Sequence, residues 1–282
     1  LAGCVDAPPP PAEAPEAPPP VVDAVRAVTW SPDGRNLLVS WYRQDRHRLY
    51  VVFGPAGPGV PPAASRGIPM MEDEALRGSW APNRLWVAFQ TSRDGNDEIY
   101  RARPDGTAPE NLTADPAADG APAYSPDSRH IAFSSDRGGG SPAVWIMESD
   151  GRDPHPLGAE VPGGAQRWPA WSPDGRRLAF AVDVASTDRV YVAAVDGSSA
   201  VDLAAGSRPA WAPGGRRLYY DRSDSVFVRA ADGSGGEDFV VAGWAAAPSP
   251  DGSWVAFARG DRQSASLYLL DLEARVETRI TP

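Results

Sequence analysis

The stretch Pro169-Ala170-Trp171-Ser172-Pro173-Asp174-Gly175-Arg176 leads into Leu178-Ala179-Phe180-Ala181, then Val190-Tyr191-Val192-Ala193, then Asp196-Gly197 and Val201-Asp202-Leu203. It reads as four short β-segments separated by turns. Proline presets φ at the first corner of a tight turn, Asp bonds backbone two residues on, and Gly accepts positive φ. Asp-Gly between apolar runs is in turn a strong short-range hairpin signal. The same unit begins again at Trp30-Ser31-Pro32-Asp33-Gly34, Trp80-Ala81-Pro82-Asn83, Tyr124-Ser125-Pro126-Asp127-Ser128, Trp211-Ala212-Pro213-Gly214-Gly215 and Pro248-Ser249-Pro250-Asp251-Gly252. The central prolines are 50, 44, 47, 40 and 37 residues apart, a period that with four strands per unit specifies propeller blades and not helical repeats.

Working outward from the turns, each copy carries two apolar runs with an aromatic column, such as Trp86-Val87-Ala88-Phe89 with Ile99-Tyr100, or Val255-Ala256-Phe257 with Leu267-Tyr268-Leu269-Leu270. These aromatics are expected to pack between blades, with ligand stacking as the exception among the ten tryptophans. The second hairpin turn falls at Pro104-Asp105-Gly106, Asp150-Gly151, Asp196-Gly197 and Asp232-Gly233, with Gly54-Pro55 in the first copy and Asp271-Leu272 in the last. The composition agrees: 42% hydrophobic residues can supply a core, and 28 Gly with 31 Pro suit many short strands joined by many turns.

The pattern Trp-Ser-Pro-Asp-Gly, then Ala-Phe, then Ser92-Arg93-Asp94-Gly95-Asn96-Asp97-Glu98-Ile99-Tyr100, Asp105-Gly106 and Asn111-Leu112-Thr113 resembles the repeat of TolB-type propellers, also described as WD40-like repeats. The resemblance runs from about residue 25 to 281 and implies an all-β fold, a six-bladed β-propeller of four-stranded antiparallel blades. Residues 1–20 are expected to form a tether and residues 21–282 the propeller, without the small α/β domain that precedes the propeller in TolB. Ring closure is expected by packing of the sixth blade on the first, since Val276–Ile280 supplies the last blade with its own fourth strand; the alternative is that Val21-Val22-Asp23-Ala24-Val25 adds to the last blade as a clasp.

The N-terminal Leu1-Ala2-Gly3-Cys4 resembles the lipobox of bacterial lipoproteins, in which the Cys is acylated; Cys4 is the chain's one cysteine, so no intramolecular disulfide can form. Val5 follows, and the resemblance then implies export and lipid anchoring in the cell envelope, at the outer membrane facing the periplasm. Residues 7–20, almost all Pro, Ala and Glu, lack the N–H groups for helix or sheet. In polyproline II geometry they would hold a domain roughly 40 Å from its anchor.

With 27 basic and 37 acidic residues the formal charge is −10, which repels a phosphate backbone and argues against nucleic-acid binding. Walker, dinucleotide and Gly-x-Ser-x-Gly motifs are absent, and with the last strand directly before Pro282 no hydrolase domain is expected. His47, His130 and His155 are spread over a loop, the start of a second strand and a fourth strand, without a ligand spacing. Asp94-Gly95-Asn96-Asp97-Glu98 looks superficially like a calcium loop, but Ile99 stands where that loop requires Gly. No metal and no cofactor are therefore expected.

Strand alternation puts the two short turns of each blade on one face. The loops between second and third strands, expected to be longer and more variable, fall on the opposite face together with the interblade connections. The adjacent opposite charges there, Asp45-Arg46, Arg93-Asp94, Asp136-Arg137, Asp221-Arg222 and Asp261-Arg262, are the candidate partner-binding ring. Their alternative role is to form solvated pairs or to cap neighbouring blade backbones. The expected function is that of a non-catalytic, monomeric scaffold binding a protein or peptide of the envelope. The alternative is a carbohydrate lyase or hydrolase with carboxylates gathered at the channel.

Overall fold

The computed structural model describes residues 23–43, 46–53, 68–69, 75–261 and 264–281. Among these, every regular element is a strand, and the strands form six four-stranded antiparallel sheets, each made of consecutive segments of chain. The second hairpin turn of the first blade, Gly54-Pro55, lies outside the described residues. In the fourth blade the strands are Gln166–Trp171, Arg177–Val184, Thr187–Ala194 and Ala200–Ala205. The first strands of successive blades touch one another around the ring, the sixth blade meeting the first included.

The ring is held by six apolar clusters, one at each interblade joint. Side chains alternate across a strand, and the second strand of each blade uses both faces. Leu37 packs toward the sixth blade, whereas Leu38 packs toward the second. Likewise Leu178 and Phe180 join the third blade while Ala179 joins the fifth. Phe89, Phe133, Phe180, Tyr220 and Phe257 form the aromatic column of the second strands and are fully buried. Phe89, Phe180, Tyr220 and Phe257 lie against Tyr100, Tyr191, Phe227 and Tyr268 of the third strands, with ring centroids 5.5–6.5 Å apart. Burying one such ring contributes about 1.5–3 kcal/mol.

The repeated turn explains its own sequence. Ser31 Oγ donates to Asp33 Oδ1 (2.6 Å) and accepts from the backbone N–H of Asn36 (2.9 Å), while Asp33 Oδ1 also accepts from Arg35 N–H (3.1 Å). The Ser125/Asp127, Ser172/Asp174 and Ser249/Asp251 turns repeat this arrangement. The Ser hydroxyl is the main cause holding Asp33, Asp127 and Asp174 below the usual carboxylate range. The last position is left-handed in every copy, at φ +62° and +63° where Arg84 and Ser128 replace glycine.

Closure follows the same rule as the other joints. The motif Trp171 donates its indole N–H to Ala123 O of the preceding blade (3.0 Å), Trp211 donates to Ala170 O (3.0 Å), and Trp30 donates to Ala247 O of the sixth blade (2.8 Å). The last blade has its own fourth strand, Glu277–Arg279, as expected. Trp80, in the same column, has no partner for its indole nitrogen. Trp30→Phe should therefore cost about 1–3 kcal/mol more than Trp80→Phe, because it orphans a buried carbonyl at the closing joint. Urea melts of the two variants measure the difference, and equal losses would show that the bond contributes nothing to closure.

Candidate functional site

Each first strand runs from one face of the ring to the Trp-Ser-Pro-Asp-Gly turn on the other. Together the first strands line a central cavity of about 820 Å³, to which all six blades contribute. Near its entrance every first strand carries a β-bulge. In five blades the bulge places a non-glycine residue in the left-handed region, three positions before the motif aromatic or its equivalent. These are Arg77 (φ +46°), Ala121 (+52°), Trp168 (+54°), Arg208 (+47°) and Ala245 (+55°). Such positions cost of order 1–3 kcal/mol each and require surrounding structure to hold them. All five line the cavity, and Arg26, inside the bulge of the first blade, joins them.

Two of the ties that hold the bulges are visible. Gln90 Oε1, next to the buried Phe89, accepts from Ala121 N–H in the following blade (3.2 Å). Asp221 Oδ2, next to the buried Tyr220, accepts from Ala245 N–H (2.7 Å) and lies 3.4 Å from Arg208 Nη1. One column of the repeat thus performs the same task with an amide or a carboxylate. Burial pushes Asp221 up to about 6, against the pull of the Ala245 bond and Arg208.

The entrance is rich in cations and aromatic surface. The guanidinium carbons of Arg77 and Arg208 stand over the Trp168 ring, 5.7 and 5.1 Å from its centroid, and Arg26 stands over Tyr42. Arg77 faces the solvent of the cavity but is ringed by protein. That partial desolvation, followed by the charge of Arg208, draws it below its ordinary value, with Asp97 opposing. Burial and the neighbouring Asp183 raise Asp188, while Arg167 and Arg208 pull it down. Among the described residues, no three His, Cys, Asp or Glu groups converge as metal ligands.

The expected charged ring is placed differently from its reading as paired loop residues. Asp45, Arg262 and Cys4 lie outside the described residues. In four blades the second and third strands stay paired as far as Arg43↔Arg46, Val184↔Thr187, Arg222↔Ser225 and Asp261↔Ser264, so only two residues separate them in sequence. Arg46 and His47 accordingly sit in a strand, and Asp221 and Arg222 end one. Asp221 is 4% exposed, which removes it from the partner-contact surface.

The other candidates find partners beyond their sequence neighbours. Arg222 pairs with Glu237, and Arg137 pairs with the buried Asp119 at 2.6 Å. Asp136 accepts from Ala118 N–H (2.9 Å) in the connection from the preceding blade. Arg93 stands over Tyr100, and Asp94 accepts from the Tyr100 hydroxyl and from Asn111. Asp261 is exposed at a strand end. In the calcium-like stretch, Asn96 donates to Asp115 O and Ala117 O while Glu98 accepts from Thr113 and Asp115 N–H, so these side chains tie down a turn.

Arg26, Arg77, Trp168 and Arg208 were not singled out by sequence. The signal that finds Arg77, Trp168 and Arg208 is the column three residues before the motif aromatic; Arg26 stands one residue earlier, four before Trp30.

The site is a preformed channel entrance on a closed six-bladed ring, a binding geometry supplied by the scaffold itself. No family model matches the chain. It is 31% identical over 118 residues to a TolB homologue of Chlorobium luteolum, covering 42% of this chain and 25% of the relative. It is also 31% identical over 101 residues to the Tol-Pal system protein TolB of Anaeromyxobacter dehalogenans, covering 34% of this chain and 20% of that protein. The chain thus spans a quarter or less of the length of these relatives.

The crystal structure of TolB from Acinetobacter baumannii superposes with a TM-score of 0.64 at 21% identity, over 75% of this chain and 53% of that one. An oligogalacturonate lyase solved with manganese shares the fold at 14% identity, with a TM-score of 0.60 over 94% of this chain and 79% of its own. In repeat and in fold the chain is a TolB-like propeller.

An acid whose folded pKa lies above its unfolded value binds more protons when folded. Charged Asp221 therefore costs stability above pH 6, and the cost fades as the pH falls from 6 toward 4. Between pH 8 and pH 4 the stability of the wild type relative to Asp221→Asn should move in favour of the wild type by about 2 kcal/mol. Urea melts across that range test this; a pH-independent difference would show that Asp221 does not titrate there.

Proposed function

We propose that this chain is a non-catalytic, monomeric propeller that binds a protein or peptide component of the bacterial cell envelope at its channel entrance. In this reading it is exported and carried on a lipid anchor at Cys4, at the outer membrane facing the periplasm. The observation that carries the binding reading is the set of Arg26, Arg77, Trp168 and Arg208 side chains held at bulges around a preformed cavity. Rigid scaffolds that present polar and aromatic groups at a concave site are binding surfaces. Similarity to a Tol-Pal system protein supports an envelope partner, and the Leu1-Ala2-Gly3-Cys4 sequence with its proline-rich continuation supports the tether.

Cross-linking and capture from envelope fractions with the full chain tests the reading. Arg77→Glu should reduce recovery of the captured component by at least about tenfold. Arg84→Glu, on the opposite face at an exposed turn, should leave it unchanged. Equal recovery with both variants would overturn the choice of face. For the anchor, mass spectrometry of the N-terminal peptide from the native host should show an acylated Cys4, and an unmodified peptide would remove it from the proposal.

A further inference from the structure

Arg77 and Trp168 meet at the cavity with their donors unpaired. Among the described residues no carboxylate lies within ion-pair distance of Arg77, and no group accepts from the Trp168 indole N–H. Arg101, Arg137, Arg152, Arg189, Arg217, Arg222 and Arg259 all have close carboxylates. Arg208 beside them is engaged by Asp221, yet its side chain stays 40% exposed in the cavity. An exposed guanidinium fork thus stands over an indole ring that borders the cavity, while the indole N–H itself is buried. Both lack an acceptor.

The cluster comes from three blades. Arg77 is supplied by the second, Trp168 by the fourth and Arg208 by the fifth, so arginines from diametrically opposite blades meet over one indole. The nearby anions do not satisfy Arg77. Asp97 acts on it only at a distance, Asp188 faces Arg167 and Arg208, and Asp221 is committed to Ala245 and Arg208. In a chain of formal charge −10 this is a local cationic spot at the one place where all six blades converge.

We propose that Arg77, Trp168 and Arg208 form a carboxylate-binding site, and that the segment entering the channel is an acidic peptide. A carboxylate oxygen would accept the Arg77 fork in bidentate fashion, the arrangement for which guanidinium geometry is suited. Arg208 would add charge from the other side of the Trp168 ring. The indole face and the alanine and proline walls at Ala121, Ala245 and Pro209 would cover the aliphatic part of the side chain. The carboxylate site rests on the channel entrance being the binding surface and adds the chemistry that the entrance selects.

The probe is the peptide acetyl-Gly-Glu-Glu-Gly-amide, titrated calorimetrically into the full chain beside its Gln-Gln analogue, free glutarate and inorganic phosphate. The acidic peptide should bind, the Gln analogue should not, and added salt should weaken binding. Arg77→Gln should lower affinity at least about tenfold. Trp168→Phe, which keeps an aromatic face under the two guanidinium groups, should lower it less, and Arg84→Gln should leave it unchanged.

Binding of the Gln analogue as tight as that of the acidic peptide, or acidic binding that survives Arg77→Gln, overturns the site. Glutarate matching the peptide would identify a small-dicarboxylate site and overturn the peptide, and phosphate binding tighter than either would reject carboxylate selection. If Arg77→Glu abolishes envelope capture while no acidic peptide binds, the entrance stands as the binding surface and the carboxylate assignment falls. If the acidic peptide binds but nothing is captured from the envelope, the carboxylate site stands and the envelope partner falls.

Discussion

The structure depends on one constraint: the second strand of every blade is apolar on both faces. A single blade would leave both faces in water, so none of the six sheets has a core of its own and each is completed by its neighbours. The ring is then the smallest unit that buries everything, and an open arc would expose two apolar sheet faces. This explains why the joint between the sixth and first blades carries an apolar cluster like the rest, and shares with two other joints a tryptophan N–H reaching the preceding blade's carbonyl. Closure needs no exchanged strand because the complementary faces are already there.

Six tightly packed sheets leave little freedom at the centre. Where the first strands converge, each bulges and turns one residue out of the ladder into the cavity. The strain is held in place by ties from the adjacent blade, a neutral one at Gln90 and a charged one at Asp221. The fold and the site are thereby connected: packing creates the bulges, the bulges place side chains at the entrance, and the entrance carries a local positive field on an otherwise acidic protein.

The architecture was legible because turn chemistry is local. Ser-Pro-Asp-Gly and Asp-Gly announce hairpins through bonds made within five residues, and the period between them counts the blades. The candidate site was less legible because its logic is not local. Neighbouring residues in a strand point to opposite faces, so Asp221 turns inward to the sixth blade while Arg222 reaches Glu237, and their adjacency in sequence forms no pair. Arg77, Trp168 and Arg208 come from three different blades, and a bulge removes each from the alternation by which a sequence reveals buried faces. Trp168 in particular looks like one more member of a tryptophan-rich repeat until its place in the channel is known.

The bulge column has a consequence for how such a ring can change. Its residues line the cavity, and neighbouring blades tie the backbone at Ala121 and Ala245. Recognition is in effect written in a separate register from architecture: six addressable places around one pore, occupied here by three arginines, a tryptophan and two alanines. Rewriting any one place would alter what the pore admits without disturbing a single interblade cluster. A propeller built this way can diversify its ligands one blade at a time, which a site assembled from core residues could not do.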